Sequence, residues 1–221
     1  MKRFTNYLTE RSGEISSIHQ FMSSLIESDE LIDTLDIIHR YMESIGRQFN
    51  ELGTYSRVYK GTKGGRNVVK VSATDPLFAE YARIVHTDKM WERNPTFPKI
   101  EHVYTFHEGE IVVVVMEELA VGQPVFDLFT ELTEDSEGHE EISMLEISQN
   151  LVEYIAYGRK PLRATLVFLK NLERKGGNGT VQNLEKNMRW VYREFGGLDF
   201  HQHNVGLRGD MLVFFDPIAS A

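Results

Sequence analysis

The chain has 221 residues, 41% hydrophobic and 26% charged, enough to build a sizeable core in one large domain or two small lobes. A net charge of −9 argues against a nucleic-acid or anionic-membrane surface. The absence of cysteine removes disulfides, thiolate zinc sites and cysteine nucleophiles.

In chain order, Met1-Lys2-Arg3-Phe4 opens no apolar run of the kind a signal peptide needs. The most apolar segment, Ile111 to Met116, is far too short to span a bilayer, so the expectation is a soluble, intracellular protein. Ile18, Phe21, Met22, Leu25 and Ile26 share one helical face, and Ser28-Asp29-Glu30 offers a cap for the next helix. Leu31, Leu35, Ile38, Met42, Ile45 and Phe49 follow at alternating four- and three-residue steps. That spacing predicts a helical hairpin covering the back of a lobe; it also leaves a dimer through these helices open.

The period changes at Leu52. Tyr55 to Lys60 and Asn67 to Ser72 predict strands joined by a glycine-rich turn at Gly61 to Gly65. A helix is predicted from Pro76 to about Trp91, with Pro76 in its first turn. Ile100 to His107 and Glu110 to Met116 predict a strand pair, the second β-branched throughout Ile111 to Val115 and therefore buried. Glu117 to Pro124 reads as a connector and Glu131 to Glu141 as an acidic solvated loop or helix start. Helices follow over 142–157, 161–173 and 181–195, with a breaker at Lys175 to Gly179. Strands segregated from helices predict an α+β chain with two lobes. The expected divisions are a helical extension over 1–50, a sheet lobe over 51–118 and a helical lobe over 119–221, with a ligand in the crevice between the lobes.

The chemistry concentrates at the carboxy end. Asp199, His201 and Asn204 stand as D-x-H-x-x-N, then Val205-Gly206-Leu207, a turn at Gly209-Asp210, and an apolar strand delivering Asp216. Phosphoryl transfer from a nucleotide needs that set: an aspartate for the proton of the attacking hydroxyl, and an asparagine and second aspartate for metal ions on the phosphates. Asp199 is the candidate base and His201 a candidate contact to the transferring group. Asn204 and Asp216 are candidate magnesium ligands, since hard cations prefer oxygen donors. The rival is a zinc site of Asp199, His201 and His203, which leaves Asn204 and Asp216 unexplained.

The nucleotide half rests on weaker signals. Gly53 and Ser56 lie in Leu52 to Tyr59, a glycine loop reduced to one glycine, with Val58 beyond them. Lys70 sits among valines on the next strand, where a lone lysine needs a reason and holding phosphates is one. Glu80 on the following helix is the candidate partner of Lys70, with Glu92 as the fallback. Backbone groups of Glu117 and Leu119 are candidates for an adenine ring.

These motifs resemble the aminoglycoside phosphotransferase and choline kinase branch of the protein-kinase-like fold. They are more similar still to the early-expressed serine/threonine protein kinase of short-tailed T-odd bacteriophages. The likeness rests on the L-G-x-x-x-S-x-x-Y loop at Leu52 to Tyr59, the lysine strand at Val69-Lys70-Val71, Asp199 to Asn204, and Phe215-Asp216-Pro217 before small residues. It covers residues 50 to 221, with a loop two residues shorter than the family's form. The resemblance implies a minimal two-lobed kinase using ATP and Mg2+ on Ser/Thr of host proteins, or on itself, in the cytoplasm of an infected bacterium. It implies no direct nucleic-acid or membrane contact, and leaves the oligomeric state open. The chain departs from ordinary kinases in having Asp216-Pro217 where D-F-G stands and in ending five residues after Asp216, so the usual peptide-acceptor platform is not expected. The alternatives are a small-molecule phosphotransferase, with the acidic run facing cationic acceptors, or a pseudokinase-like protein that binds and inhibits a host factor.

Overall fold

A computed structural model describes residues 15–27, 30–50, 56–61, 66–133, 143–201 and 204–217. The chain divides into two compact units, Met1–His86 with Ile100–Glu118, and Thr87–Lys99 with Leu119–Ala221. The chain is α+β, with an antiparallel sheet and a helical part.

The first unit holds α1 (residues 15–24), α2 (Leu31–Ser44), β1 (Gln48–Asn50), β2 (Ser56–Lys60), β3 (Asn67–Ala73), α3 (Pro76–Thr87), β4 (Ile100–Phe106) and β5 (Ile111–Glu117). The sheet order is β1-β2-β3-β5-β4, and every pair is antiparallel. Alternation decides its faces. Val69, Val71, Ile111, Val113 and Val115 meet Ile18, Met22, Ile38 and Met42 of the two helices in one core. Val112, Val114 and Met116 are buried on the opposite face, so the unbroken β-branched run belongs to a strand covered on both sides.

The described helices of the first fifty residues, α1 and α2, thus pack on the sheet and form no separate extension. Their apolar seam is spent on their own sheet, with Leu31, Leu35 and Ile45 packed around it. Each fully buried aliphatic side chain there contributes about 1.5–3 kcal/mol. Polar bonds add register: Thr34 Oγ1 lies 2.8 Å from His107 Nε2, His19 Nδ1 lies 2.8 Å from Tyr104 Oη, and the Tyr59 hydroxyl is hydrogen-bonded to His39 Nδ1. The seam ends earlier than the spacing predicted. Gly46 turns left-handed at φ 77°, its amide bonding Glu43 O at 2.9 Å while Arg47 N reaches Met42 O at 3.1 Å. Phe49 consequently lies in β1. The helix predicted to reach Trp91 stops at Thr87, because Lys89 takes φ 48° and starts a new turn.

The second unit holds α4 (Met90–Arg93), α5 (Gln123–Thr133), α6 (Met144–Tyr157), α7 (Arg163–Gly176), α8 (Thr180–Phe195), β6 (Val205–Arg208) and β7 (Met211–Phe214). Its core joins Val125, Leu128 and Phe129 of α5 to Ile147 and Leu151 of α6, Phe168 of α7, Leu184 and Met188 of α8, and Phe214 of β7. Ser143 opens α6 with a reciprocal cap to Glu146. Glu173 accepts from the amides of Gly179 and Val181 and so caps α8 from the previous helix. The acidic run lies in α5 only as far as Thr133; the rest falls outside the described residues. No helix among the described residues is long and apolar enough to cross a membrane.

Candidate functional site

In the second unit the stretch after α8 is built around one aromatic anchor. Gly196 ends the helix in the left-handed conformation at φ 73°. Phe200 is 4% exposed, with its ring 4.9 Å from Phe214 and 5.9 Å from Phe129. Burying Phe200 leaves its neighbours Asp199 and His201 on the accessible side, their side chains 38% and 36% exposed. The D-F-H order is therefore an in–out pattern.

Backbone bonds then close the segment. Asn204 N donates to His201 O at 2.9 Å, and Asp199 N donates to Pro217 O at 2.8 Å. Asn204 O accepts from Phe215 N at 3.2 Å and Asp216 N at 3.4 Å. Between them the β6–β7 hairpin turns at Gly209, where φ is 62°. Asp199, His201, Asn204 and Asp216 thus belong to one closed loop-and-hairpin.

The side chains interlock. His201 Nε2 lies 3.1 Å from Asp199 Oδ2 and 3.0 Å from Asn204 Nδ2. Protonated, Nε2 donates to the carboxylate; unprotonated, it accepts from the amide. Asn204 Nδ2 also donates to Asp199 O at 3.2 Å, which directs its Oδ1 to acceptor work. Two carboxylates and an amide oxygen are donors of the kind a hard cation takes. Among the described residues no three His, Cys, Asp or Glu side chains gather as a metal group. His203, on which the zinc alternative depends, lies outside the described residues.

The hairpin is held from two sides. Ala120 and Leu207 exchange amides at 3.1 and 2.8 Å, so the connector pairs directly with β6. Gly206 permits this approach, since a Cβ there would stand 2.7 Å from the Leu119 Cβ. On the other side Phe214 N donates to Thr96 O at 2.8 Å, and Arg208 donates to Pro95 O at 2.8 Å and Phe97 O at 3.1 Å. Thr96 is fixed by Asn187, fully buried on α8, whose Nδ2 reaches Thr96 O at 3.1 Å and Oγ1 at 3.0 Å. Segment 94–97 carries no sequence motif beyond its Asn94-Pro95 turn signal.

In the first unit Lys70 lies mid-sheet on β3, across from Val58 and Val114, and is 4% exposed. Its Nζ stands 3.6 Å from the Phe78 ring centroid, a cation–π contact that offsets part of its desolvation. Phe78 was not singled out from sequence; its place two residues into α3 after Pro76 is the only signal. Ser56 opens β2 opposite Ser72, and Glu117 closes β5 opposite Asn67. Glu118 N donates to Arg66 O at 2.6 Å. Leu119 begins the second unit, and Gly53 lies outside the described residues.

The expectation that Glu80 orients Lys70 is not met. Glu80 takes a two-point bond from Arg83, at 2.8 and 2.6 Å, and stays nearly half exposed. The cause is helix phase: Phe78, Ala79, Tyr81, Ala82 and Val85 form the buried face of α3, and Glu80 falls outside it. The Arg83 bond holds the Glu80 carboxyl below its usual range. Glu92, the fallback, is exposed on α4 and lies 4.0 Å from Lys89.

Comparison with protein-family models gives no match, and comparison with curated proteins gives none either.

Proposed function

We propose that the chain is an ATP- and Mg2+-dependent phosphotransferase of the protein-kinase-like kind, acting on Ser or Thr hydroxyls of bacterial host proteins or of itself. The observation that carries this reading is the closed loop-and-hairpin that brings Asp199, His201, Asn204 and Asp216 together. Phosphoryl transfer asks for that combination of a proton acceptor and oxygen ligands. A buried lysine on the third strand, followed by a helix, adds support, because kinases hold the nucleotide phosphates from that strand.

In this reading Asp199 orients the acceptor hydroxyl and takes its proton as the oxygen bonds to the γ-phosphorus. The bond from the γ-phosphorus to the bridging oxygen breaks, and ADP leaves with that oxygen. His201 steadies the Asp199 carboxylate and lies beside the transferring group. Lys70 binds the phosphates that stay with the leaving nucleotide. Asn204 and Asp216 would hold magnesium, which neutralises charge on the phosphate oxygens.

The test is labelled γ-phosphate from ATP, offered with magnesium to whole bacterial lysate and to the chain alone. Wild type should label protein Ser or Thr. Asp199→Ala should label about 10²–10⁴-fold more slowly, the usual range for losing a general base. Equal labelling by the two proteins, or none by either, defeats the reading.

A further inference from the structure

Asn183, Lys186 and Trp190 recur at three- and four-residue steps along α8, which puts them on one face of that helix. Together with Asp88, Arg93 and Phe97 they line a pocket of about 340 Å³, wholly within the second unit. That volume lies at the small end of ligand sites and suits one ring with one anionic group. The Trp190 indole is braced on two sides, by Phe97 at 5.4 Å and Phe195 at 5.7 Å, both edge-to-face. It stays half-buried in the pocket wall, an aromatic surface already fixed in position.

The charges around it are cationic on balance. Several cations of the chain are matched by carboxylates, as in Arg83–Glu80, Arg159–Glu153 and Lys175–Glu131. Arg93 and Lys186 form no ion pair among the described residues. The Arg93 guanidinium donates to the Asp88 backbone carbonyl at 3.1 Å, which leaves its charge unbalanced. The Asn183 side chain makes no hydrogen bond among the described residues, so its amide offers both a donor and an acceptor. With Asp88 included, the lining still carries one net positive charge in a molecule of net charge −9.

We propose that this pocket binds a small aromatic anion. Its ring lies against Trp190, and its phosphate or carboxylate is held by Arg93 and Lys186. Asp88 and Asn183 select for a hydroxyl or amine elsewhere on the ring. The proposal does not depend on the phosphotransferase reading, because none of these residues belongs to the loop and hairpin of Asp199 to Asp216.

The test is calorimetric titration of the full chain with phenyl phosphate, without ATP or magnesium, beside inorganic phosphate and benzyl alcohol. Saturable binding of phenyl phosphate is expected, tighter than either half-ligand alone. Arg93→Gln and Lys186→Gln should each weaken it about tenfold, the scale of one charge-assisted contact. Both side chains are exposed, so unchanged thermal melts would show that the fold is intact in those variants. Asp199→Ala should bind as wild type does, which separates this site from the catalytic loop. Absence of saturation, inorganic phosphate binding as tightly as phenyl phosphate, indifference to both substitutions, or loss in Asp199→Ala would each overturn the proposal.

Discussion

Two buried titratable side chains in the first unit illustrate how differently burial is managed. Lys70 holds its Nζ over the Phe78 ring, a contact that offsets part of the cost of burial. His39 of α2 is buried at 8% exposure, its Nδ1 hydrogen-bonded to the Tyr59 hydroxyl of β2. Burial, helped by the positive charge of Arg57 and opposed by Asp36, lowers its pKa from 6.5 to about 4. The folded protein therefore binds fewer protons than the unfolded chain between those values, and stability must rise with pH there. His39 contributes fully above pH 6.5, and the contribution is lost as pH falls towards 4. The loss is at most about 3 kcal/mol. Urea unfolding at pH 7, 5.5 and 4 should show a steeper decline for wild type than for His39→Asn; equal declines would rule His39 out.

Among the elements, the β6–β7 hairpin sits at the candidate site on strands of only four residues each. So short a hairpin is marginal by itself. Its position comes from the Ala120–Leu207 pair on one side and Thr96 O on the other. Gly206→Ala attacks the first of these, because the added methyl meets the Leu119 Cβ at 2.7 Å and the Ala120 carbonyl oxygen at 3.3 Å. Overpacking of this kind costs about 1–3 kcal/mol. The variant should unfold at lower urea, with amide exchange quickened first at Ala120 and Leu207; wild-type exchange at both would show that the connector yields without cost. The hairpin was legible in the sequence because its signals are local: polar identities at fixed spacing, a Gly-Asp turn and an apolar strand. The supports were not, since the Ala120–Leu207 and Asn187–Thr96 bonds join residues about ninety apart. α5 was passed over although Val125, Leu128, Phe129 and Leu132 have helical spacing, because Gly122, Pro124 and the acidic run flank it and read as connector. β1 was too short to show a period. Glu80 was misassigned because one turn of helix places several carboxylates near any strand, and only the buried face of α3 decides among them.

At the scale of the whole molecule, each unit has a hydrophobic core of its own. The sheet unit closes around Ile38, Met42, Val69 and Val113, and the helical unit around Leu151, Phe168, Leu184 and Phe214. The sequence reading divided the chain at 51 and 119. Packing moves the first boundary away entirely, because α1 and α2 supply the layer that the sheet needs on one face. It also hands residues 87–99 to the helical unit, where Thr96 serves the hairpin. Separate cores mean that a cavity in one should be felt mainly by its own amides. Ile38 and Leu151 are both fully buried, so Ile38→Ala and Leu151→Ala should each cost about 2–5 kcal/mol locally. Native-state hydrogen exchange distinguishes the outcomes. Ile38→Ala should speed exchange through α2, β3 and β5 while α6 and α8 keep their wild-type rates. Leu151→Ala should do the converse. Acceleration spread evenly over the chain in both variants would mean that the two cores unfold as a single cooperative structure, and that the division of labour argued for Lys70 and the Asp199 loop has no counterpart in stability.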